Sequence, residues 1–274
     1  MKQRIITGLV MGIVLVPIIY FGGICFEILG LLATIGAAYE LRKMFYKKNL
    51  ATLNIVDLVT ILVSALSYLM ILFQTKSSKY IMFVTLDMLL VFVVGGLLLV
   101  FKNDFKGNDF GTYFSTVLYS SVGFASMAIL RNKGLNVIFA IVLIAICTDI
   151  FAYFFGVAFG KHKMCPNISP KKSIEGAIAG LVFGGLAGSL MFILGGVNEV
   201  VFTSLHPVWF VIFSLFLSVI GQIGDLVASK LKRTYEIKDF SNIFPGHGGI
   251  LDRFDSLIFI STLFYLIILV VGVL

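Results

Sequence analysis

The stretch from Ser229 to Asp255 combines lysine, arginine, aspartate, glutamate, glycine and proline between two long apolar segments. Its middle places His247 between glycines, where backbone can approach a ligand closely and the imidazole could bond phosphate or act as an acid or base. A loop histidine without a role is the alternative. Such a density of both charges in an otherwise apolar chain predicts a binding site for a charged ligand.

Carboxylates inside apolar segments form a second group of candidates, because burying charge in a membrane is costly and function is its default explanation. Asp149 and Asp225 lie in such segments, and Asp252 lies at the start of another. Carboxylate oxygens are the hard ligands that Mg²⁺ takes together with water and substrate phosphates. We therefore predict Asp225 and Asp252 as metal ligands with Asp149 as a third; a carboxylate bonded to a neighbouring helix is the structural alternative.

Hydroxyls and cations that could hold phosphates form a third group. Asp225, Ser229 and Lys232 follow one another at i, i+4 and i+7, so they share one face of a continuing helix. Backbone N–H groups near Gly248 and Gly249, at the start of the last apolar segment, favour anions. The further candidate cations are Lys171, Lys172, Arg233, Lys238 and Arg253. Their alternative role is to fix the orientation of the chain in a membrane.

The elements that must position these residues are membrane helices. The chain has 274 residues, of which 59% are hydrophobic and 13% charged, against roughly 45–50% and 25% in soluble domains. We predict an all-α polytopic membrane protein. Apolar segments of helical length indicate nine transmembrane helices, at about 5–21, 24–41, 54–73, 80–101, 112–130, 135–158, 174–197, 207–228 and 251–273.

The basic residues predict a cytoplasmic N-terminus, because lysine and arginine concentrate in cytoplasmic segments. Of the 21 basic residues, only Lys76, Lys79, Arg131 and Lys133 then fall outside. The net charge of +7 is explained by this asymmetry and by anionic lipid headgroups, so we expect no nucleic-acid partner. The polar segments 161–173 and 229–250 both fall on the predicted cytoplasmic side, where they can meet at one site.

The chain is expected to be one integral membrane unit with two parts. Residues 1–134 provide about five lipid-facing helices that act as a scaffold, and residues 135–274 provide about four helices that carry the chemistry. Glycines at small-xxx-small spacing in the seventh apolar segment predict close helix packing. The three cysteines have no metal-binding spacing and predict neither a disulfide framework nor a zinc site.

Three sequence motifs lie in the second half of the chain. The longest runs Ser229-x-Leu231-Lys232-Arg233, Lys238-Asp239-x-Ser241 and Phe244-Pro245-x-His247-Gly248-Gly249-Ile250-x-Asp252-Arg253-Phe254-Asp255. A second is Ile168-Ser169-Pro170-Lys171-Lys172-Ser173-x-Glu175-Gly176, and a third is Asp149-x-x-Ala152-Tyr153-x-x-Gly156. Together they resemble the motifs of the phosphatidate cytidylyltransferase (CDP-diacylglycerol synthase) family, with Ser173 replacing the usual threonine and keeping its hydroxyl.

This resemblance implies transfer of a cytidylyl group from CTP to phosphatidic acid, giving CDP-diacylglycerol and pyrophosphate for phospholipid biosynthesis. It also implies dependence on Mg²⁺, a homodimer, and a polar cavity facing the cytoplasm of a bacterial cell, among membrane lipids. A second, monovalent cation is left open. The expected catalytic residues are Asp225, Asp252, Lys232, His247 and Ser229. The expected substrate- and phosphate-binding residues are Lys171, Lys172, Ser173, Glu175, Arg233, Lys238, Asp239, Gly248, Gly249, Arg253 and Asp255.

Two alternatives stay open at the level of sequence. A relative acting on another lipid phosphate, such as an archaeal CDP-lipid synthase or a polyprenol kinase, would share much of this chemistry. A transporter for an anionic solute would also place charges within membrane helices. It would require polar residues through the outer half of the helix bundle, whereas the unusual residues here lie at one side.

Overall fold

The computed structural model describes residues 2–47, 52–75, 80–197 and 207–273. Within these ranges the chain forms nine helices and one small β-hairpin. The helices are α1 (Lys2–Phe21), α2 (Gly23–Tyr46), α3 (Ile55–Gln74), α4 (Tyr80–Phe101), α5 (Gly107–Lys133), α6 (Leu135–Phe159), α7 (Ile174–Leu194), α8 (Pro207–Thr234) and α9 (Leu251–Val273). The hairpin strands are β1 (Lys163–Cys165) and β2 (Ser169–Ser173).

The predicted all-α polytopic membrane fold is confirmed. By length and composition, eight of the described helices, α2 to α9, could each cross a membrane. The apolar stretch described in α1, Ile6–Phe21, is shorter. Lys48, Lys76 and Lys79, which entered the charge count, lie outside the described residues. The protein is therefore an integral membrane protein.

Helix α8 extends past its predicted end at residue 228 and carries the first polar segment with it. Lysine, arginine and leucine in its last turns are good helix formers, so the helix continues beyond the apolar part of the sequence. It ends where Glu236 adopts a left-handed conformation, with φ 57°. The Ile237 amide there donates to the carbonyl of Lys232 at 2.9 Å. Ser229, Lys232 and Arg233 consequently all belong to one rigid helix.

The described chain divides into two compact units. The first comprises Met1–Ile129 with Asp239–Asp252, and the second comprises Leu130–Lys238 with Arg253–Leu274. The second polar segment of the sequence is thus shared, since its part up to Lys238 belongs to the second unit.

In the second unit, helices α6 and α7 pack with their backbones almost in contact. Gly176, Gly180, Gly184 and Gly188 recur every fourth residue along α7. A Cβ atom on Gly180 would lie 2.7 Å from the carbonyl oxygen of Thr148 in α6, closer than real Cβ contacts allow. The predicted small-residue packing of this helix is therefore confirmed.

Polar hydrogen bonds connect α6, α7 and α8 across this close packing. The hydroxyls of Thr148 and Ser218 lie 2.8 Å apart, and the Ser218 hydroxyl also reaches the carbonyl of Gly180 at 3.3 Å. One turn further along α8, the Gln222 side-chain amide donates to the carbonyl of Ala177 at 3.1 Å. These bonds fix the rotation of the three helices close to their charged residues Asp149, Glu175 and Asp225.

In the first unit, a buried ion pair connects α2 to α3. Both Nε and an Nη atom of Arg42 donate to Oδ1 of Asp57, at 2.8 and 2.7 Å, and their side chains are 1% and 0% exposed. The guanidinium also lies 4.3 Å from the ring centre of Tyr46 and within 3.4 Å of the Thr112 hydroxyl in α5. Arg42 thereby ties together the ends of three helices.

Candidate functional site

The polar segment 161–173 contains a β-hairpin formed by β1 and β2. Its strands pair antiparallel, with Lys163 opposite Ser173 and Cys165 opposite Ser169. The strands are short and polar and contain Pro170, so they give no alternating apolar pattern from which a strand could be predicted. Strand β2 carries Lys171 and Lys172 and leads directly into α7.

Two predicted residues fix the hairpin to the start of α7. The Ser173 hydroxyl caps the helix by accepting the amide of Gly176 at 3.2 Å. The Glu175 carboxylate accepts the backbone amide of His162 at 3.2 Å and lies 2.6 Å from Nδ1 of the same histidine. Ser173 and Glu175 therefore hold the lysine-bearing strand in place.

Asp225 in α8 is the centre of the charged residues of the second unit. Its Oδ2 forms an ion pair with Nζ of Lys172. Its Oδ1 accepts a long hydrogen bond of 3.5 Å from the hydroxyl of Ser229, one helical turn further. The predicted shared face of Asp225 and Ser229 is confirmed by this contact. The Arg233 Nε donates to the carbonyl of Ile168 at 3.4 Å, which joins α8 to the hairpin.

Two further carboxylates interact electrostatically with Asp225. Asp149 of α6 interacts electrostatically with Asp225 and with Lys172. Asp255 of α9 interacts electrostatically with Asp225, Lys232 and Asp149. Three acids and two lysines from four elements therefore act on one another. Among the described residues, however, no three histidine, cysteine, aspartate or glutamate side chains are arranged to hold one metal ion together.

A cavity of about 540 Å³ opens beside these residues in the second unit. Its lining brings together Asp149, Lys171, Lys172 and Ser173, all predicted from the sequence. The third sequence motif contributes Ala152, Tyr153 and Gly156 to the lining. The lining residues that were not predicted as site residues or part of a motif are Val157, Gly160, Lys163, Ala177 and Gln222. Gln222 carried a usable signal, since it is a polar side chain inside an apolar segment. The volume lies within the usual range of roughly 300–1,000 Å³ for ligand pockets.

In the first unit, Asp252 organises the loop that precedes α9. Its Oδ2 accepts the backbone amides of Phe240 at 2.8 Å and Gly249 at 2.9 Å. These bonds fix the orientation of a carboxylate that the sequence predicts to be a metal ligand. A Cβ atom on Gly248, which has φ +83°, would lie 2.8 Å from the same oxygen. This position accordingly requires glycine.

His247 lies in a tight turn of the same loop. The amide of Phe244 donates to the carbonyl of Gly248 at 2.9 Å, and the amide of His247 donates to the carbonyl of Phe244 at 2.8 Å. The Nδ1 atom of His247 is buried and has no hydrogen-bond partner in the described part of the chain. Nδ1 of the imidazole is therefore available to form a hydrogen bond.

A second carboxylate, Glu40 of α2, also holds this loop and was missed in the sequence. Its Oε1 accepts the hydroxyl of Ser241 at 2.5 Å and the amide of Ile250 at 2.8 Å, and its Oε2 accepts the amide of Leu251 at 2.9 Å. The side chain is fully buried. An acid near the end of an apolar segment resembles an ordinary boundary charge, so its role was not apparent.

The predicted site residues thus fall into two groups. Asp149, Lys171, Lys172, Asp225 and Asp255 come together in the second unit, whereas Asp252, His247, Gly248 and Gly249 come together in the first. The predicted binding residues Lys238, Asp239 and Arg253 have exposed side chains. Their roles and those of the other site residues stay predictions.

Comparison with known proteins relates the whole chain to one family. Residues 2–271 match the model of the cytidylyltransferase family. A phosphatidate cytidylyltransferase of Staphylococcus aureus (strain COL) is 36% identical over 274 residues, covering 98% of this chain and 99% of the relative. Similar proteins of the same name come from Staphylococcus epidermidis, at 34% identity, and Staphylococcus saprophyticus, at 33%, with the same coverage.

Proposed function

This chain belongs to the cytidylyltransferase family, and from that premise we propose that its cavity binds CTP for transfer of the cytidylyl group to phosphatidate. The products are CDP-diacylglycerol, an intermediate of phospholipid biosynthesis, and pyrophosphate. A phosphate oxygen of the lipid forms a bond to the α-phosphorus of CTP. The bond from that phosphorus to the oxygen bridging it to the β-phosphate breaks, and pyrophosphate leaves.

The observation that carries the proposal is the composition of the cavity wall. Three lysines, Lys163, Lys171 and Lys172, line one cavity, and Ser173 adds a hydroxyl-bearing side chain to the lining. Phosphoryl-group chemistry needs positive charge around phosphate oxygens and accurate positioning of the attacking and leaving groups. The cavity can provide both the positive charge and the positioning to a triphosphate. Tyr153 and Gln222 line the same cavity and offer an aromatic ring and an amide to the rest of the nucleotide.

Mg²⁺ is proposed as the cofactor, and the residues of the cavity fit it. Mg²⁺ commonly uses one or two carboxylates and completes its shell with water and substrate phosphates, so a cage of three side chains is not required. Asp149 lines the cavity, and Asp225 forms an ion pair with Lys172, which also lines it. When bound there, the ion would neutralise charge on phosphate oxygens. Asp252 as a further ligand, and a monovalent cation beside Mg²⁺, stay predictions.

Asp225 and Lys172 have complementary tasks in this proposal. The aspartate draws Lys172 of the hairpin toward α8, so that the ammonium group is held at the cavity before substrate arrives. The Ser229 hydroxyl donates to the same aspartate and limits its rotation. A preoriented ammonium can stabilise charge on the leaving pyrophosphate without moving during the reaction.

We also propose that the cavity faces the cytoplasm of a bacterial cell and that the protein is a homodimer. The excess of basic residues on one predicted side supports the orientation. A cysteine-accessibility assay at Lys163→Cys in right-side-out and inverted vesicles tests it. The resemblance to the family supports the dimer, which light scattering of the purified protein tests.

The activity is tested with purified protein, phosphatidate in mixed micelles, Mg²⁺ and CTP labelled at the α-phosphate. We expect label in the lipid fraction and release of unlabelled pyrophosphate. Folded protein that leaves all label in the aqueous phase would contradict the proposal. The transporter alternative predicts instead that liposomes containing the protein take up an anionic solute without consuming nucleotide.

A further inference from the structure

We infer that Glu40, in the part of the chain that sequence analysis treated as scaffold, is a positioning residue for the reaction. It acts by holding the loop 239–250, which carries His247 and leads into α9 just before Asp252. This inference rests on the proposed function only in assigning that loop to the site. The contacts of Glu40 themselves belong entirely to the first unit.

The geometry of Glu40 is unusual because one side chain satisfies three donors from two ends of a loop. Ser241 lies at the beginning of the loop, whereas Ile250 and Leu251 lie at its end, and all three donate to the same carboxylate at 2.5 to 2.9 Å. The two amides open helix α9, whose first N–H groups have no partner within the helix. Glu40 therefore closes the loop and caps α9 at once.

Neighbouring residues indicate that the contact is close-fitting. A Cβ atom on Gly249 would overlap the Glu40 carboxylate, and one on Gly36, a turn earlier in α2, would overlap the side chain of Ile250. The loop thus packs closely against α2 through the side chains of Glu40 and Ile250. A small change in the Glu40 side chain must move the loop or break its hydrogen bonds.

Asp252 depends on the same arrangement. Its Oδ2 accepts the amides of Phe240 and Gly249, which immediately precede Ser241 and Ile250, the two partners of Glu40 Oε1. Two carboxylates therefore hold adjacent residues at both ends of one loop. Moving Glu40 would shift the amides that orient Asp252, which is how a residue remote from the substrate can alter the reaction.

The experiment compares Glu40→Gln with Asp57→Asn in the purified full chain. In Glu40→Gln, one oxygen becomes an NH₂ group that faces a backbone N–H, so at least one of the three hydrogen bonds is lost. Asp57→Asn weakens another fully buried carboxylate of the same unit, which accepts hydrogen bonds from the Arg42 side chain of α2 and from the backbone amide of Asn54. It is the matched control for general destabilisation.

We expect Glu40→Gln to lower kcat by about 10- to 100-fold while the KM for CTP changes less than about threefold. Hydrogen exchange at the amides of Ile250 and Leu251 should accelerate by about tenfold or more. Asp57→Asn should lower the melting temperature but leave kcat of the folded fraction and exchange at both amides near wild type. If Glu40→Gln does not fold, Ser241→Ala, which removes one donor, should lower kcat in the same direction.

The outcomes separate the inference from the proposed function. If the wild-type chain makes no CDP-diacylglycerol, the proposed function is overturned. Hydrogen exchange at the Ile250 and Leu251 amides still tests whether Glu40 holds the loop. An active wild type with normal kcat in Glu40→Gln, or unchanged exchange at Ile250 and Leu251, overturns the inference. Equal losses of kcat in Glu40→Gln and Asp57→Asn also overturn it, because they would reduce Glu40 to a general stabiliser.

Discussion

Lys172 in strand β2 and Asp225 in helix α8 form an ion pair that joins the hairpin to the cavity-lining helices. Their side chains are 28% and 24% exposed, so water screens the pair only partly. The pair is more than a structural link, because Lys172 lines the cavity and Asp225 interacts with two further carboxylates. It is the most informative target for mutation.

Asp225→Asn should reduce turnover by at least about a thousandfold. Asp225 is both a proposed metal ligand and the partner of Lys172, and the substitution removes the negative charge that both roles require. Expression and the melting temperature should stay near wild type, since the amide keeps the shape of the side chain. Labelled lipid product is measured at saturating CTP. Turnover near the wild-type rate would remove Asp225 from the site.

Lys172→Met should lower kcat/KM for CTP by about 100-fold, because an aliphatic chain of similar length cannot neutralise phosphate charge. Steady-state kinetics with varied CTP measure the change. The matched control is Lys230→Met, which removes an exposed lysine of α8 that does not line the cavity. Similar losses in the two variants would show that only the total positive charge matters.

Gln222→Leu should raise the KM for CTP by roughly tenfold while kcat stays close to wild type, the pattern of a contact made equally in the ground and transition states. The bond to the Ala177 carbonyl directs the NH₂ group toward α7, which leaves the amide oxygen available to a ligand. Ile223→Leu, at the next position of α8, is the control. An unchanged KM would exclude Gln222 from nucleotide binding.

Gly180→Ala should destabilise the protein by about 1–3 kcal/mol, because its methyl group would press on the Thr148 carbonyl and force α6 and α7 apart. Gly96→Ala is the comparison, since a Cβ there meets nothing within 4 Å. That variant should be neutral or more stable by up to about 1 kcal/mol, reflecting helix propensity. Thermal unfolding in detergent distinguishes them; equal melting temperatures would contradict the packing argument.

Asp57→Ala should cost about 3–5 kcal/mol, the amount typical of leaving one member of a buried ion pair without its partner. Arg42 would keep its contact with Tyr46 but lose both charged hydrogen bonds. Chemical unfolding monitored by fluorescence measures the loss. A change below about 1 kcal/mol, as for an exposed pair, would mean that water reaches Arg42.

The sequence predicts the helices well because each one is marked by a long apolar segment, a pattern formed by residues that are neighbours in the chain. The contact Asp225–Ser229 likewise follows from helical spacing. The repeated glycines predict that α7 packs closely, but the partner residue Thr148 of α6 is known only from the structure. Glu40 could not be found in this way. Its partners lie about 200 positions away, so no local pattern marks it. The hairpin was not predicted for a related reason: it is defined by the pairing of its two strands and not by their composition.

The hydrogen bond between Glu40 and Ile250 spans 210 positions of the chain. Helix α2 leaves the ribosome early, whereas Ile250 follows 210 positions later. The loop 239–250 and the carboxylate that holds it are therefore made far apart in time. A growing chain can insert its earlier helices in the membrane before this hydrogen bond exists. A chain that stops short of Ile250 cannot form it.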